Sequence, residues 1–187
     1  VGKRAGRPSA KQDHVNRLLV DYALTGGRVV RLKSGDAGIF GRLEEETMAL
    51  DAAGIGYEII PGVTSASAAA AAAQIPLTRR LTSRRVQFIT GADVSGGLPE
   101  SLNMAALADP AATTVVYMGK RTFTALAARL IAHGMPADMP AMLAHGVTTP
   151  DQRIERFTIQ SLAEHLKDAE SLTPALIFYG PLAGDMP

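Results

Sequence analysis

The chain has 187 residues, enough for one ample domain or two small ones, and 47% of them are apolar, so a buried core is readily built. It has no cysteine, which excludes disulfides, thiol nucleophiles and cysteine metal sites and makes the cytoplasm the expected compartment. The net charge of +1 conceals an asymmetry: residues 1–42 carry nine Lys or Arg against three Asp, net +6, and the remainder is −5.

A basic segment of this kind is either an ordinary solvated face or a surface for an anionic partner. Aromatics are few and tryptophan is absent, which argues against nucleic acid. No apolar run approaches the roughly 20 residues of a membrane helix, so no membrane partner is expected.

In chain order, "KQDHVNRLLVDYALTGG" predicts a helix, with Val15, Leu18, Leu19 and Tyr22 at helical spacing and Gly26-Gly27 as its stop. "RVVRL" follows as a strand, Leu43 to about Ala53 as a helix, and "YEIIPG" as a strand stopped by Pro61-Gly62. Thr64 or Ser65 can cap the alanine-rich helix after it, whose small side chains favour close packing on a sheet. Pro76 and the basic stretch to Arg85 read as a linker. Beyond it come strands at "VQFIT" and "TTVVYMG", a helix at "TFTALAARLIAHG", strands at "MPAMLA" and "QRIERFT", a helix at "IQSLAEHLKDAE" and a last strand at "PALIFYG". Alternating strands and helices predict an α/β fold with largely parallel sheets, divided into residues 1–80 and 81–187.

Several of these strands end in turn residues, where ligands collect in open α/β sheets. The turn Ser34-Gly35-Asp36 adds an acid beside exposed backbone N–H groups, which suits a small molecule bearing an ammonium group. The common nucleotide fingerprints are absent. His14, His133, His145 and His165 lack metal-ligand spacing, so each reads as a surface or hydrogen-bonded histidine and no metal is expected.

Taken together and in order, "VGKRAG" at 1–6, Gln12 with Asn16, "VVRLKSGDAGIFGR", "IIPGVTSASAAAA", "IPLTRR", "VVYMGK" and "PALIF" carry a resemblance. The chain resembles the uroporphyrinogen-III C-methyltransferases of the tetrapyrrole methylase family, free-standing or as the methyltransferase part of siroheme synthase. The resemblance covers nearly the whole chain and is most specific from residue 29 to 78.

It implies two α/β lobes with a cofactor cleft between them, in a homodimer. It implies transfer of two methyl groups from S-adenosylmethionine to uroporphyrinogen III, giving precorrin-2 on the way to siroheme or cobalamin. Ser34, Gly35, Asp36, Ile39, Thr64, Ser65 and Met118 match cofactor contacts, and Met118 also meets the tetrapyrrole. Val147 falls where the family commonly has a contacting glycine on the adenosine side, with Gly146 one place earlier. Lys3 lies at the proposed proton-donor position. Arg4, Arg42, Arg79 and Arg80 are the candidates for the substrate's carboxylates.

The chain departs from the pattern at Ser34, where a glycine is usual, at Ala37, where a proline is usual, and at Val147. The family also begins with a strand, a glycine-rich loop and a proton-accepting aspartate ahead of "VGKRAG". A longer natural protein is therefore expected, and little catalysis from a chain that starts at Val1. Two other readings stay open: a sister methyltransferase acting on a later precorrin or on ribosomal RNA, and a non-catalytic tetrapyrrole-binding lobe.

Overall fold

The computed structural model describes residues 11–167 and 173–185, in two compact units that divide between Thr64 and Ser65. The basic stretch expected to link two lobes near residue 80 lies within the second unit. It is no loose linker: Arg79 and Ser83 form a β-bridge, and the buried Ser83 hydroxyl lies 2.8 Å from that of Thr113.

The first unit is built on two helices, α1 (Gln12–Leu24) and α2 (Leu43–Ala52). Three glutamates open α2, where the helix dipole favours negative charge. Among its described residues only one apolar side chain, Val15, is buried. A polar hub takes the place of a core. The Glu46 carboxylate is buried and receives Lys33 Nζ at 2.9 Å, Gln12 Nε2 at 3.1 Å and Arg31 Nη2 at 3.2 Å. Gln12 also donates to Asn16, which reaches the Glu45 carbonyl, so both helices share one network.

Residues 28–32 and 57–62, expected as strands, form no β-ladder among the described residues. Short β-branched apolar runs were the signal, but a strand also needs a neighbour for its N–H and C=O groups, and residues 11–64 supply none. Val30, Leu32 and Ile60 are consequently exposed.

The second unit opens with the short α3 (Ser65–Ala72), followed by a five-stranded sheet of β1 (Arg85–Thr90), β2 (Ala112–Tyr117), β3 (Pro140–His145), β4 (Arg153–Thr158) and β5 (Ala175–Tyr179). Helices α4 (Met104–Leu107), α5 (Phe123–Ala132) and α6 (Ile159–Leu166) lie between strands in sequence, and α4 has no counterpart in the sequence reading. The helix expected to reach Glu170 is described only to Leu166, and its last expected residues lie outside the described ones.

The sheet order is β1-β2-β5-β3-β4. Only β1 and β2 pair in parallel; the β2–β5, β5–β3 and β3–β4 pairs are antiparallel, so the expected largely parallel sheet is corrected. Two features cause this. No helix separates β3 from β4, which leaves only a short connection of the antiparallel kind. The last strand then inserts between β2 and β3 instead of extending an edge.

Side-chain alternation serves both faces. Ile177 and Tyr179 join α5 and α6 in one core, while Leu176 and Phe178 join the alanines of α3 in the other. Ala66 and Ala69 are fully buried there, as close packing requires. The buried Tyr179 hydroxyl donates to the Leu107 carbonyl.

Gly180 ends β5 at φ +126°, and a Cβ there would strike the Ala112 carbonyl. Gly180→Ala is expected to destabilise the second unit by about 2–4 kcal/mol in urea unfolding, through strain and loss of β5–β2 pairing. The hub gives a second expectation. Burial alone would raise the Glu46 carboxyl, but Lys33, Gln12 and Arg31 outweigh it and hold it below its usual 4.5. Its stabilisation is therefore present above pH 4.5 and lost as pH falls through the lower folded value. Glu46→Gln should cost about 3 kcal/mol at pH 7 and flatten that acid limb, read by hydrogen exchange of α1 and α2 amides.

Candidate functional site

Within the first unit the chain turns sharply after Lys33. Gly35 adopts φ +73°, while Ser34 is not left-handed, so serine there imposes no backbone strain. The Asp36 carboxylate accepts N–H bonds from Gly62 at 3.0 Å and from Gly38 at 2.8 Å. These bonds, Gly62 first, hold its carboxyl below the usual 3.8, so it is an anion at any physiological pH.

The fit at Gly62 is close: a Cβ there would overlap the Gly35 carbonyl. Ala37 needs no proline to close the turn, because Ile39 N–H bonds the Asp36 carbonyl and Lys33 Nζ bonds the Gly41 carbonyl at 2.5 Å. Ser34 and Gly35 are exposed and Ile39 and Thr64 half-buried. The donor set is thus one ionised carboxylate beside open backbone, which fits a ligand with an ammonium group.

Within the second unit, β1, β2 and β3 run the same way, because β5 is antiparallel to both β2 and β3. Their carboxyl ends therefore share one edge. Gly91 follows β1, Met118-Gly119 follow β2 and Gly146-Val147 follow β3. Gly91 and Gly119 approach so closely that a Cβ on Gly91 would lie 2.6 Å from the Gly119 Cα. The Thr122 hydroxyl ties the pair by donating to the Gly91 carbonyl.

Met118 is exposed and left-handed at φ +54°, a conformation rare for such a side chain. Ser65 comes to the same edge, since the next amide, of Ala66, donates to the Tyr117 hydroxyl at 3.2 Å. Val147 is half-buried and packs against the α3 side of the sheet; the left-handed residues of its turn are Gly146 and Thr148.

The substrate candidates fare differently. Arg42 is itself left-handed and binds the Glu45 carboxylate through Nε and Nη2 at 2.5 and 2.6 Å. Arg79 pairs with Asp185. Arg80 is exposed and makes no ion pair among the described residues. Lys3 and Arg4 lie outside the described residues.

The model of the tetrapyrrole (corrin/porphyrin) methylases matches residues 1–163. The chain is 42% identical over 184 residues to a siroheme synthase of Methylococcus capsulatus, covering 98% of this chain and 39% of that protein. It is 39% identical over 183 residues to a uroporphyrinogen-III C-methyltransferase of Paracoccus denitrificans, covering 98% and 63%. Among solved structures, a uroporphyrin-III C-methyl transferase from Thermus thermophilus complexed with S-adenyl homocysteine superposes with a TM-score of 0.77 at 32% identity, over 90% of this chain and 73% of that one. The chain belongs to the tetrapyrrole methylases.

It spans about two-fifths of the length of the siroheme synthase it matches. Among the described residues of this tetrapyrrole methylase there is no group of side chains suited to a metal ion and no helix long and apolar enough to cross a membrane.

One more residue stands at the sheet edge. The His145 ring is buried, and its Nε2 faces Glu155 Oε2 at 3.0 Å. Only its place at the end of a strand, one residue before a glycine, could have singled it out.

The Asp36 turn can be tested alone. The Asp36 carboxyl should titrate below 3.8 by carbon NMR, and Gly62→Ala should move it back toward that value by pushing the Gly62 amide away. An unchanged titration in Gly62→Ala would mean that this amide does not hold the charge.

Proposed function

We propose that the whole protein is an S-adenosylmethionine-dependent uroporphyrinogen-III C-methyltransferase, making precorrin-2 by two methyl transfers in siroheme or cobalamin synthesis. The names and extent of its relatives support this reading, and one observation in this chain carries it: an ionised Asp36 held by two backbone amides beside the open Gly35. That carboxylate has the charge to receive the ammonium of the cofactor's methionine end. When bound, S-adenosylmethionine supplies an electrophilic methyl group.

Ser34, Gly35, Asp36, Ile39 and Thr64 are the proposed cofactor contacts of the first unit, and Ser65, Met118 and Val147 those of the second. The substrate's pyrrole carbons are electron-rich, so the protein's main work is to hold carbon and methyl in line at about 3–3.5 Å. Met118 suits this role: its left-handed backbone presents an exposed apolar side chain at the carboxyl end of β2. After each transfer a base must take the proton from the methylated carbon, the place the resemblance gives to an aspartate ahead of "VGKRAG", and Lys3 is the proposed proton donor within the chain. The substrate carries eight carboxylates. Arg80 is exposed and has no ion pair among the described residues, and Arg4, Arg42 and Arg79 complete the proposed set, the last two by exchanging Glu45 and Asp185 for substrate. A two-lobed homodimer in the cytoplasm completes the reading.

Anaerobic incubation with S-adenosylmethionine and uroporphyrinogen III should yield a tetrapyrrole heavier by two methyl groups. Asp36→Asn should weaken S-adenosylmethionine binding by about 10- to 100-fold, the range for a hydrogen bond to a charged group. A product without added methyls, from the full-length protein, would leave a sister methyltransferase or a binding lobe instead.

A further inference from the structure

The arginines of the second unit divide between the two edges of its sheet. Arg79 pairs with Asp185, which follows the carboxyl end of β5, and β5 runs antiparallel to β2 and β3. The Arg79–Ser83 bridge sits at that same edge, since the Ser83 hydroxyl meets Thr113 near the start of β2. Arg80 lies within the bridged turn. Met118 stands past the other end of β2, about 17 Å away along the strand. A carboxylate lying beside Met118 is out of reach of Arg79 and Arg80, so an anion held at the carboxyl edge needs cations of that edge.

Among the described residues Arg121, Lys120 and Arg153 lie there. Arg121 is exposed, and its Nη2 reaches the loop after β1, 3.4 Å from where a Cβ on Gly96 would stand. Lys120 Nζ donates to the Thr173 carbonyl at 3.3 Å, ahead of β5, whose amino end comes to this edge. Arg153 opens β4 opposite His145, the last residue of β3. With the sheet ordered β1-β2-β5-β3-β4, this row runs from the β1 side to β4, a span of about 19 Å.

The two guanidinium groups are open. The Arg153 side chain is 64% exposed and is held at one corner: Nε lies 3.1 Å from Glu155 Oε2, an oxygen that His145 also faces. Its Nη atoms make no hydrogen bond among the described residues, and Arg121 makes neither a hydrogen bond nor an ion pair among them. The neighbouring acids do not close them. Asp93, after β1, accepts from Ser95 and Gly97 of its own loop, and Asp151 makes no ion pair with Arg153. A guanidinium fork left open matches a carboxylate with two parallel N–H bonds.

We propose that Arg121 and Arg153 bind carboxylates on the rim of the tetrapyrrole, along the edge that carries Met118. This rests on the functional reading above. A ring with eight carboxylates is held against turning by cations set well apart, and these two stand toward opposite ends of the edge.

The test uses the full-length protein. Binding of uroporphyrinogen III is measured anaerobically by equilibrium dialysis, with S-adenosylhomocysteine present so that no methyl group moves. Arg121→Gln and Arg153→Gln should each bind about fivefold more weakly, as exposed ion pairs allow, and the double variant about 25-fold, because sites this far apart add. Arg121→Lys and Arg153→Lys, which keep the charge but not the fork, should recover part of the loss. S-adenosylhomocysteine affinity by calorimetry should stay within twofold of wild type in every variant. Substrate binding should do the same in Lys167→Gln, which removes an exposed charge at the end of α6. A double variant that binds substrate within twofold of wild type, an equal loss in Lys167→Gln, or no substrate binding by the wild type would overturn the proposal. Binding without methyl transfer in the wild type would overturn the functional reading alone, and the dialysis would still decide the role of the arginines.

Discussion

The insertion of β5 between β2 and β3 is the constraint from which the second unit follows. Antiparallel to both neighbours, β5 obliges β2 and β3 to run the same way, and β1 joins β2 in parallel. Three strands then deliver their carboxyl ends to one edge, although only one pair is parallel. The insertion requires apolar side chains on both faces. Leu176 and Phe178 meet α3, while Ile177 and Tyr179 meet α5 and α6. Tyr179 carries a hydroxyl into that core, and burial drives its ionisation far above the ordinary tyrosine range while the Leu107 carbonyl receives its hydrogen. A buried hydroxyl with a fixed acceptor also specifies register, because a one-residue slip would send Tyr179 to the α3 face.

The first unit solves its problem with charge. It has little buried apolar surface among its described residues and relies on Glu46 receiving Lys33, Arg31 and Gln12. A buried carboxylate is costly unless paired and hydrogen-bonded, and this one has both kinds of partner. Lys33 does a second task. Its ammonium also donates to the Gly41 carbonyl, at the far side of the turn that contains Asp36. The hub that joins α1 to α2 therefore also closes the candidate ligand loop, so loop geometry and local stability are not separable in this unit.

Much of this was legible in sequence, for reasons that differ by element. β1, β2 and β5 were visible as short apolar runs ending in turn residues, and α1 by helical spacing. The Ser34-Gly35-Asp36 turn was visible because glycine and an acid together have a specific chemical use. The direction of the sheet was not visible: strand and helix alternation does not record that the last strand enters the middle. Nor was the lack of pairing at 28–32 and 57–62, since the β-branched pairs Val29-Val30 and Ile59-Ile60 report strand propensity and not a neighbour. The Glu46 hub escaped notice because its partners are separated by 34 residues at Gln12 and 13 at Lys33, and no local pattern links them. His145 escaped because burial, not spacing, makes it unusual.

The placement of backbone strain gives a last argument. Five described residues other than glycine are left-handed: Phe40, Arg42, Gln74, Met118 and Thr148. Gln74 has a local cause, since it ends the alanine-rich segment in a turn in which Ile75 N–H reaches back to the Ala70 carbonyl. The other four lie at or next to candidate contacts: Phe40 beside Ile39, Arg42 and Met118 candidates themselves, and Thr148 beside Val147. Such conformations cost on the order of 1–3 kcal/mol each and persist only when their surroundings over-determine them. Here the surroundings are identifiable: Lys33 on the Gly41 carbonyl, the Gly91–Gly119 contact tied by Thr122, and the Gly146 carbonyl taken up by Thr149. Had these turns served only to connect elements, glycine would have sufficed at each. Under the function proposed above, the side chains at these strained positions, at the carboxyl edge of the sheet and around an ionised aspartate, are the ones that would face a ligand.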